Sequence, residues 1–260
     1  MRDSMSNPRS RHSMKLILRI FPFLMLPLMA CNKENAPDCF QKGGEEISTQ
    51  RAIPFQVQSI VCSDLIDLEL FQSDAPFLEV SGPKNLLPEL ITEFENGRIS
   101  IRNENSCNIV RSYKPRLKVK VGVGEDFAYL ELNGQGEVFS NDTLRLEKLE
   151  IVAQESVGDL RLILNCDDLK CINHAGVSNF SFRGEGRKAE FFHQGYGQMN
   201  AQDFIASEVY SNNSSIGELK VFSNAYLFAY IGAKGNLLYR GSPIQIDASV
   251  TGSGNLIAID

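Results

Sequence analysis

From residue 134 to residue 256 one short arrangement of small, polar and apolar positions recurs: a small residue, any residue, Gly or Ser, a polar residue, an apolar one. The copies read Gly134-Gln-Gly136-Glu-Val138, Ser156-Val-Gly158-Asp-Leu160, Gly176-Val-Ser178-Asn-Phe180 and Gly195-Tyr-Gly197-Gln-Met199. They continue as Ser215-Ile-Gly217-Glu-Leu219, Gly232-Ala-Lys234-Gly235-Asn-Leu237 (one residue longer) and Gly252-Ser-Gly254-Asn-Leu256. The closing apolar residues stand 22, 20, 19, 20, 18 and 19 positions apart. On either side of each signature apolar and polar residues alternate with the period of two that strands require, and no helical period intervenes. A repeat near twenty residues without a helix predicts a solenoid of β-coils, one signature per coil.

Counting from each closing residue gives columns of equivalent positions. The closing column is Val138, Leu160, Phe180, Met199, Leu219, Leu237 and Leu256. Two residues on stand Ser140, Leu162, Phe182, Ala201, Val221, Tyr239 and Ala258; eight back stand Leu130, Val152, Ile172, Phe191, Ser211, Ala229 and Ala248. Each inward residue is expected to stack on its equivalent about 4.8 Å away, so that neighbouring rungs supply one another's core. The corner glycines provide either a positive φ or a turn with no Cβ in the way.

Residues 51–130 alternate too, but without the signature. Strands are expected in Phe55–Ile60, Leu65–Phe71, Phe77–Val80, Ile99–Arg102 and Leu117–Val123, with a turn at Glu95-Asn-Gly-Arg98 and an end cap or short helix in Leu86–Phe94. A solenoid needs its terminal rungs covered, and this irregular part is expected to start the stack and cover one end. With no linker evident, residues 51–260 read as one domain: irregular strands over 51–130 and seven rungs over 131–260.

The first 30 residues are of another kind. A basic stretch with Arg2, Arg9, Arg11 and Lys15 precedes an apolar run, 16–30, interrupted by Pro22 and Pro27. The run is short for a bilayer span, which needs about 20 residues, and reads as a secretory signal. Met14-Lys15 directly before the run makes Met14 an alternative start to Met1. Leu28-Met-Ala-Cys31 resembles the lipobox of bacterial lipoproteins, which implies cleavage before Cys31 and its lipidation. Residues 31–50 are polar and read as a tether. Removing 1–30 leaves 21 basic and 31 acidic residues, a net charge of −10. That balance argues against nucleic acid as a partner and is compatible with glycans and proteins.

The order of elements now carries a resemblance. A lipobox is followed by Arg51…Phe55-Gln-Val57, by Phe94-Glu-Asn-Gly-Arg-Ile-Ser-Ile101, by the signatures, and by Gly235-Asn-Leu-Leu-Tyr-Arg-Gly-Ser-Pro243…Val250-Thr-Gly-Ser-Gly254. Over residues 50–257 this is similar to the auto-transporter adhesin family with a head GIN domain, found on lipoproteins of Gram-negative bacteria. The resemblance implies a right-handed parallel β-helix, here with about 20 residues per coil, and a cell-envelope location, with the outer membrane the expected site. It also implies an adhesive role, and it supplies no catalytic residue. Ser156, Ser178 and Ser215 in place of corner glycines, and the inserted Lys234, depart from the pattern.

Candidate chemistry lies in the columns. Six positions before each closing residue stand Leu132, Gln154, His174, His193, Asn213, Ile231 and Val250. His174 and His193 in successive rungs are the weak metal candidates; zinc wants three or four ligands, and a hydrogen-bonded polar stack fits the amides better. The polar residues of the signature form another ladder, in which Glu137 and Asp159 could share a proton or a calcium ion. Tyr196, Tyr210, Tyr226, Tyr230 and Tyr239 could stack on sugars, or serve as strand formers. Of the cysteines, Cys166 and Cys171 could bridge across a corner or lie buried, Cys62 with Cys107 is a weaker pair, and Cys39 makes the number odd once Cys31 is lipidated. No hydrolase elbow, P-loop or dinucleotide fingerprint occurs, and the Gly-x-Gly units lack a following helix. The expectation is a lipid-anchored binding or adhesion module without catalysis or cofactor, contacting a glycan or an envelope or matrix protein through Tyr196, Tyr210, Tyr226, Glu137 and Asp159. A carbohydrate-active enzyme on the same scaffold, or an envelope-assembly lipoprotein, are the alternatives.

Overall fold

The computed structural model describes residues 44–105 and 116–260. The secretory signal, both candidate starts, Cys31, Cys39, Cys107 and most of the expected tether lie outside the described residues. Seven strands make the irregular part: β1 (Glu46–Gln50), β2 (Ser59–Asp64), β3 (Ile66–Gln72), β4 (Phe77–Pro83), β5 (Leu90–Glu95), β6 (Arg98–Asn103) and β7 (Leu117–Val123). The periodic part holds β8 (Tyr129–Gly134), β9 (Val138–Ser140), β10 (Leu144–Ser156), β11 (Leu160–Gly176), β12 (Phe180–His193) and β13 (Met199–Asn213). It ends with β14 (Leu219–Ile231), β15 (Leu237–Arg240), β16 (Gln245–Val250) and β17 (Leu256–Ala258). From β8 onward every pairing is parallel, and the coils stack as a β-solenoid, as the repeat predicts.

The closing column stacks as expected from Val138 through Leu160, Phe180, Met199, Leu219 and Leu237 to Leu256. It also extends backward, to Leu68 on β3 and from there to Val119 on β7. All but Leu256 are buried. A fully buried Leu or Phe stabilises by about 1.5–3 kcal/mol relative to leaving it exposed, so these columns are the core.

The columns on the other side of the corner slip by one residue. The stack eight back is Leu130, Ile151, Cys171, Phe191, Ser211, Ala229 and Ala248, so Val152 and Ile172 face outward instead. The stack six back is Leu132, Ala153, Asn173, His193, Asn213, Ile231 and Val250. The cause is one extra residue, Glu155 in one corner and Ala175 in the next, which pair with each other and are invisible when counting back from the closing residue.

The irregular part is assembled out of chain order. On one side β2 lies between β6 and β8; on the other β3 lies between β7 and β9. The chain thus lays down β2 and β3, goes below them to build β4 to β7, and then climbs. Antiparallel strands end the stack there: β5 on β6, β4 on β7 and β1 on β4. The β5–β6 hairpin turns at Asn96 (φ 49°) and Gly97 (φ 81°), the two left-handed residues of a two-residue hairpin. A 3-10 turn at Leu87–Glu89 precedes β5. Two expected boundaries move. The first strand after the tether starts at Ser59 rather than Phe55, and Glu46–Gln50, read as tether, is a strand because its backbone completes the β4 edge.

Arg51 fixes this end. Its Nη1 donates to Leu90 O (2.6 Å) and Thr92 Oγ1 (2.9 Å), and its Nη2 to Leu87 O (3.0 Å). At the opposite end, inward positions of the last rung are open: Ile246 is 38% and Val250 51% exposed.

Candidate functional site

The corner is built by exclusion. A Cβ on Gly217 would sit 1.8 Å from Gly197 O, and one on Gly235 2.0 Å from Gly217 O. Successive corners approach too closely for any side chain there, so the glycine requirement comes from contact rather than from φ. Ser178 is the exception in this column, and its corner has a different backbone: Gly176 takes φ +101°. Ser178 turns inward, donating from Oγ to Ser156 Oγ at 2.9 Å.

Beneath the corners runs a buried polar stack. His193 Nε2 donates to Gly197 O (2.8 Å), which fixes the tautomer and leaves Nδ1 to accept from Asn173 Nδ2 (3.2 Å). Asn213 Nδ2 makes the equivalent bond one rung on, to Gly217 O (3.0 Å), and also reaches Asn236 O (2.9 Å). Burial holds the His193 imidazole below its usual range, partly opposed by the Gly197 bond. The two histidines expected in one column are therefore apart: His174 is exposed on the far side of the extra residue, and His193 stacks on Asn173. Among the described residues no group of three or more His, Cys, Asp and Glu is placed to hold a metal ion.

The outer ladder of signature residues ties rung to rung. Asp67 Oδ1 accepts from Glu137 N (3.0 Å), Asp159 Oδ1 from Asn179 Nδ2 (3.1 Å), and Asn179 Oδ1 from Gln198 N (3.1 Å). Glu137 pairs with Arg161. Glu137 and Asp159 thus each have a partner other than the other, and Arg161 supplies the cation that the column itself lacks. The cysteines Cys62, Cys166 and Cys171 are buried free thiols, so the Cys166–Cys171 bridge is not formed. Burial pushes the Cys62 thiol up to about 12, with Asp64 and Asp67 adding to it, and Cys166 likewise to about 12. Thiols so protonated are poor nucleophiles.

The aromatic residues separate into two places. Tyr196 stands at a corner, 66% exposed, in line with Val157, Val177 and Ile216, the other large apolar second residues of their signatures. Tyr210 lies instead on the outer face of the long strands, where it meets Tyr226 (centroids 5.5 Å apart) and Phe228 (6.5 Å). Phe192, Tyr210, Phe228 and Tyr230, with Lys188, Glu190 and Asn212, line a groove of about 520 Å³. Lys188 pairs with Glu190 and lies 5.0 Å from the Tyr210 ring centre. Tyr226 Oη donates to Asp247 Oδ2 (2.9 Å) at the groove's end. Through Lys188 and Glu190 the groove continues into a second depression, of about 390 Å³, past Lys170 and Glu150 to Tyr129. Sequence reasoning missed Phe192 and Phe228. The doublet Phe191-Phe192 was the available signal, since alternation sends one ring inward and the other out.

A family model described as "Putative auto-transporter adhesin, head GIN domain" matches residues 57–243. The chain belongs to this family. Its head GIN domain has solved structural neighbours. One, titled a putative adhesin from Bacteroides fragilis, is 20% identical, covers 83% of this chain and 97% of its own, and superposes with a TM-score of 0.76. A putative lipid binding protein from Parabacteroides distasonis is 23% identical, with 84% and 98% covered and a TM-score of 0.63. A putative adhesin from Parabacteroides merdae is 19% identical, with 84% and 97% covered and a TM-score of 0.61. At these identities the likeness shows a shared solenoid fold. No curated protein matches the chain.

Proposed function

We propose that the chain is a binding module of the cell envelope, without catalytic activity, held to a membrane by lipid on Cys31, with the groove around Tyr210 and Phe228 as its ligand contact. The observation that carries this reading is the groove itself: four aromatic side chains from three adjacent strands, held on a rigid parallel sheet. Rigid aromatics give contact area at low entropic cost, which suits a recognition surface. The family description and the adhesin names of two similar structures support the same role.

The other clefts fit catalysis less well. Glu125, Asp126, Glu147 and Asp167 gather around Arg145 in a depression of about 380 Å³, but all four carboxylates are exposed. Acid–base chemistry works from groups held in hydrogen-bond reach of a bound substrate and screened from water. A role in envelope assembly has one observation in its favour, the open last rung with Ile244 89% and Val250 51% exposed.

The test is an array of glycans and matrix proteins probed with the full chain carrying Cys31→Ser. Saturable binding that Tyr210→Ala weakens about tenfold, and that a calcium chelator leaves intact because Glu137 is paired with Arg161, is the expected result. Binding that Tyr210→Ala leaves unchanged would move the contact elsewhere. Radiolabelled acyl chains should enter the wild type and not Cys31→Ser; no incorporation in either removes the anchor.

A further inference from the structure

We infer that the groove takes an uncharged saccharide chain lying along the solenoid axis; this rests on the groove being the ligand contact. Three observations converge on that class. The first is charge. Of the residues lining the aromatic groove only Lys188 and Glu190 are charged, and they are paired with each other. In the adjoining depression Lys170 pairs with Glu150 at 2.8 Å and Asp168 with Arg187, while Lys148, which also lines it, is exposed and makes no ion pair among the described residues. In the aromatic groove a charged ligand would have to displace a pair already made, at the desolvation cost of both partners.

The second observation is the mixture of faces. Phe192, Tyr210, Phe228 and Tyr230 offer apolar ring surface, which suits the C–H faces of a pyranose. Beside them are donors without work to do. Asn212 Oδ1 accepts from Ser214 Oγ (2.8 Å), while among the described residues neither its Nδ2 nor the Tyr210 hydroxyl has a partner. A purely apolar ligand would bury both groups unsatisfied; one with hydroxyls on its rim satisfies them.

The third is length. Tyr129, Glu150, Lys170, Glu190, Tyr210 and Phe228 occupy successive rungs of one outward column. At about 4.8 Å per rung the two depressions together run for about 24 Å, room for a chain of several rings rather than one.

The experiment uses the full chain with Cys31→Ser and titrates it with neutral gluco-, manno-, galacto- and xylo-hexaoses, and with hexagalacturonate as the charged counterpart. The chain has 7 tyrosines and no tryptophan, so its emission comes from tyrosine, with Tyr210 and Tyr230 of the groove among the contributors. At least one neutral hexaose should bind saturably and change that emission. Tyr210→Ala and Phe228→Ala should each weaken binding about tenfold. Tyr196→Ala, at the corner, should leave it unchanged, and unaltered urea unfolding midpoints of Tyr210→Ala and Phe228→Ala show that their fold is intact. Binding by none of the neutral hexaoses overturns the proposal, as does binding of hexagalacturonate at equal or higher affinity. If an array ligand proves to be a protein and is lost in Tyr210→Ala, the groove stands and the saccharide falls. If neutral hexaoses bind but survive both substitutions, the groove itself is not the site.

Discussion

The periodic rungs and the irregular start of the stack bury the same columns by different means. Leu219, Leu68 and Val119 occupy equivalent inward positions, yet the first is reached by counting and the others are not. In the rungs, specificity lies in what is missing: no side chain fits where Gly217 meets Gly197, so the chain must turn there. At the start, specificity lies in additions. Antiparallel strands, a left-handed turn at Asn96-Gly97 and the three hydrogen bonds of Arg51 end a ladder that would otherwise present open edges. Repetition specifies the interior of a stack, and exceptions specify its end.

The sharpest way to break this comparison is at the corner. Gly217→Ala places a methyl group 1.8 Å from Gly197 O, with backbone rather than a flexible side chain in the way. The rungs must separate, and a loss of about 4 kcal/mol or more is expected in urea unfolding, or failure to fold. Ser178→Gly supplies the contrast. It removes the 2.9 Å bond to Ser156 and should cost about 1 kcal/mol. Equal effects at the two positions would show that the corners are not held by close approach.

At the irregular end the expected effects are intermediate. Arg51→Met keeps the stem and removes the donors to Leu87 O and Leu90 O, at a cost of about 2 kcal/mol. Hydrogen exchange should show the loss in β5 and leave β11 to β13 protected; uniform loss would mean that the two regions unfold as one unit. Gly97→Ala, forced to φ 81°, should cost about 1–2 kcal/mol, again confined to the β5–β6 hairpin.

The solenoid was legible because its signature and closing column repeat at the level of residue type, from Val138 to Leu256. What counting could not find was an insertion placed between two landmarks. Glu155 and Ala175 leave the spacing of closing residues near twenty while shifting Ile151 and Cys171 inward by one position. The candidate histidine pair was lost to that slip. The spatial order β6–β2–β8 was hidden for another reason: parallel neighbours need no adjacency in sequence, and nothing in β2 records which strand will lie beneath it. The groove residues Phe192 and Phe228 were missed because only the register shows that they share a face with Tyr210 and Tyr230.

The smallest effect expected is also the most specific to the stack beneath the corners. Burial lowers the His193 pKa from 6.5 in the folded chain, so below that value the unfolded chain binds more protons. Stability is then fully present above pH 6.5 and declines as pH falls from 6.5 toward the depressed folded value. Protonation would also put a hydrogen on Nδ1, facing the Asn173 amide that now donates to it. In His193→Asn the side chain can repeat the bond that Asn213 makes to Gly217 O, so stability at pH 7.5 should change by no more than about 1 kcal/mol. Its unfolding midpoint should lose the part of the acid slope that His193 contributes. If wild type and His193→Asn keep identical slopes between pH 6.5 and 5, the imidazole does not titrate with folding, and the desolvation of His193 is offset in full by its bond to Gly197 O.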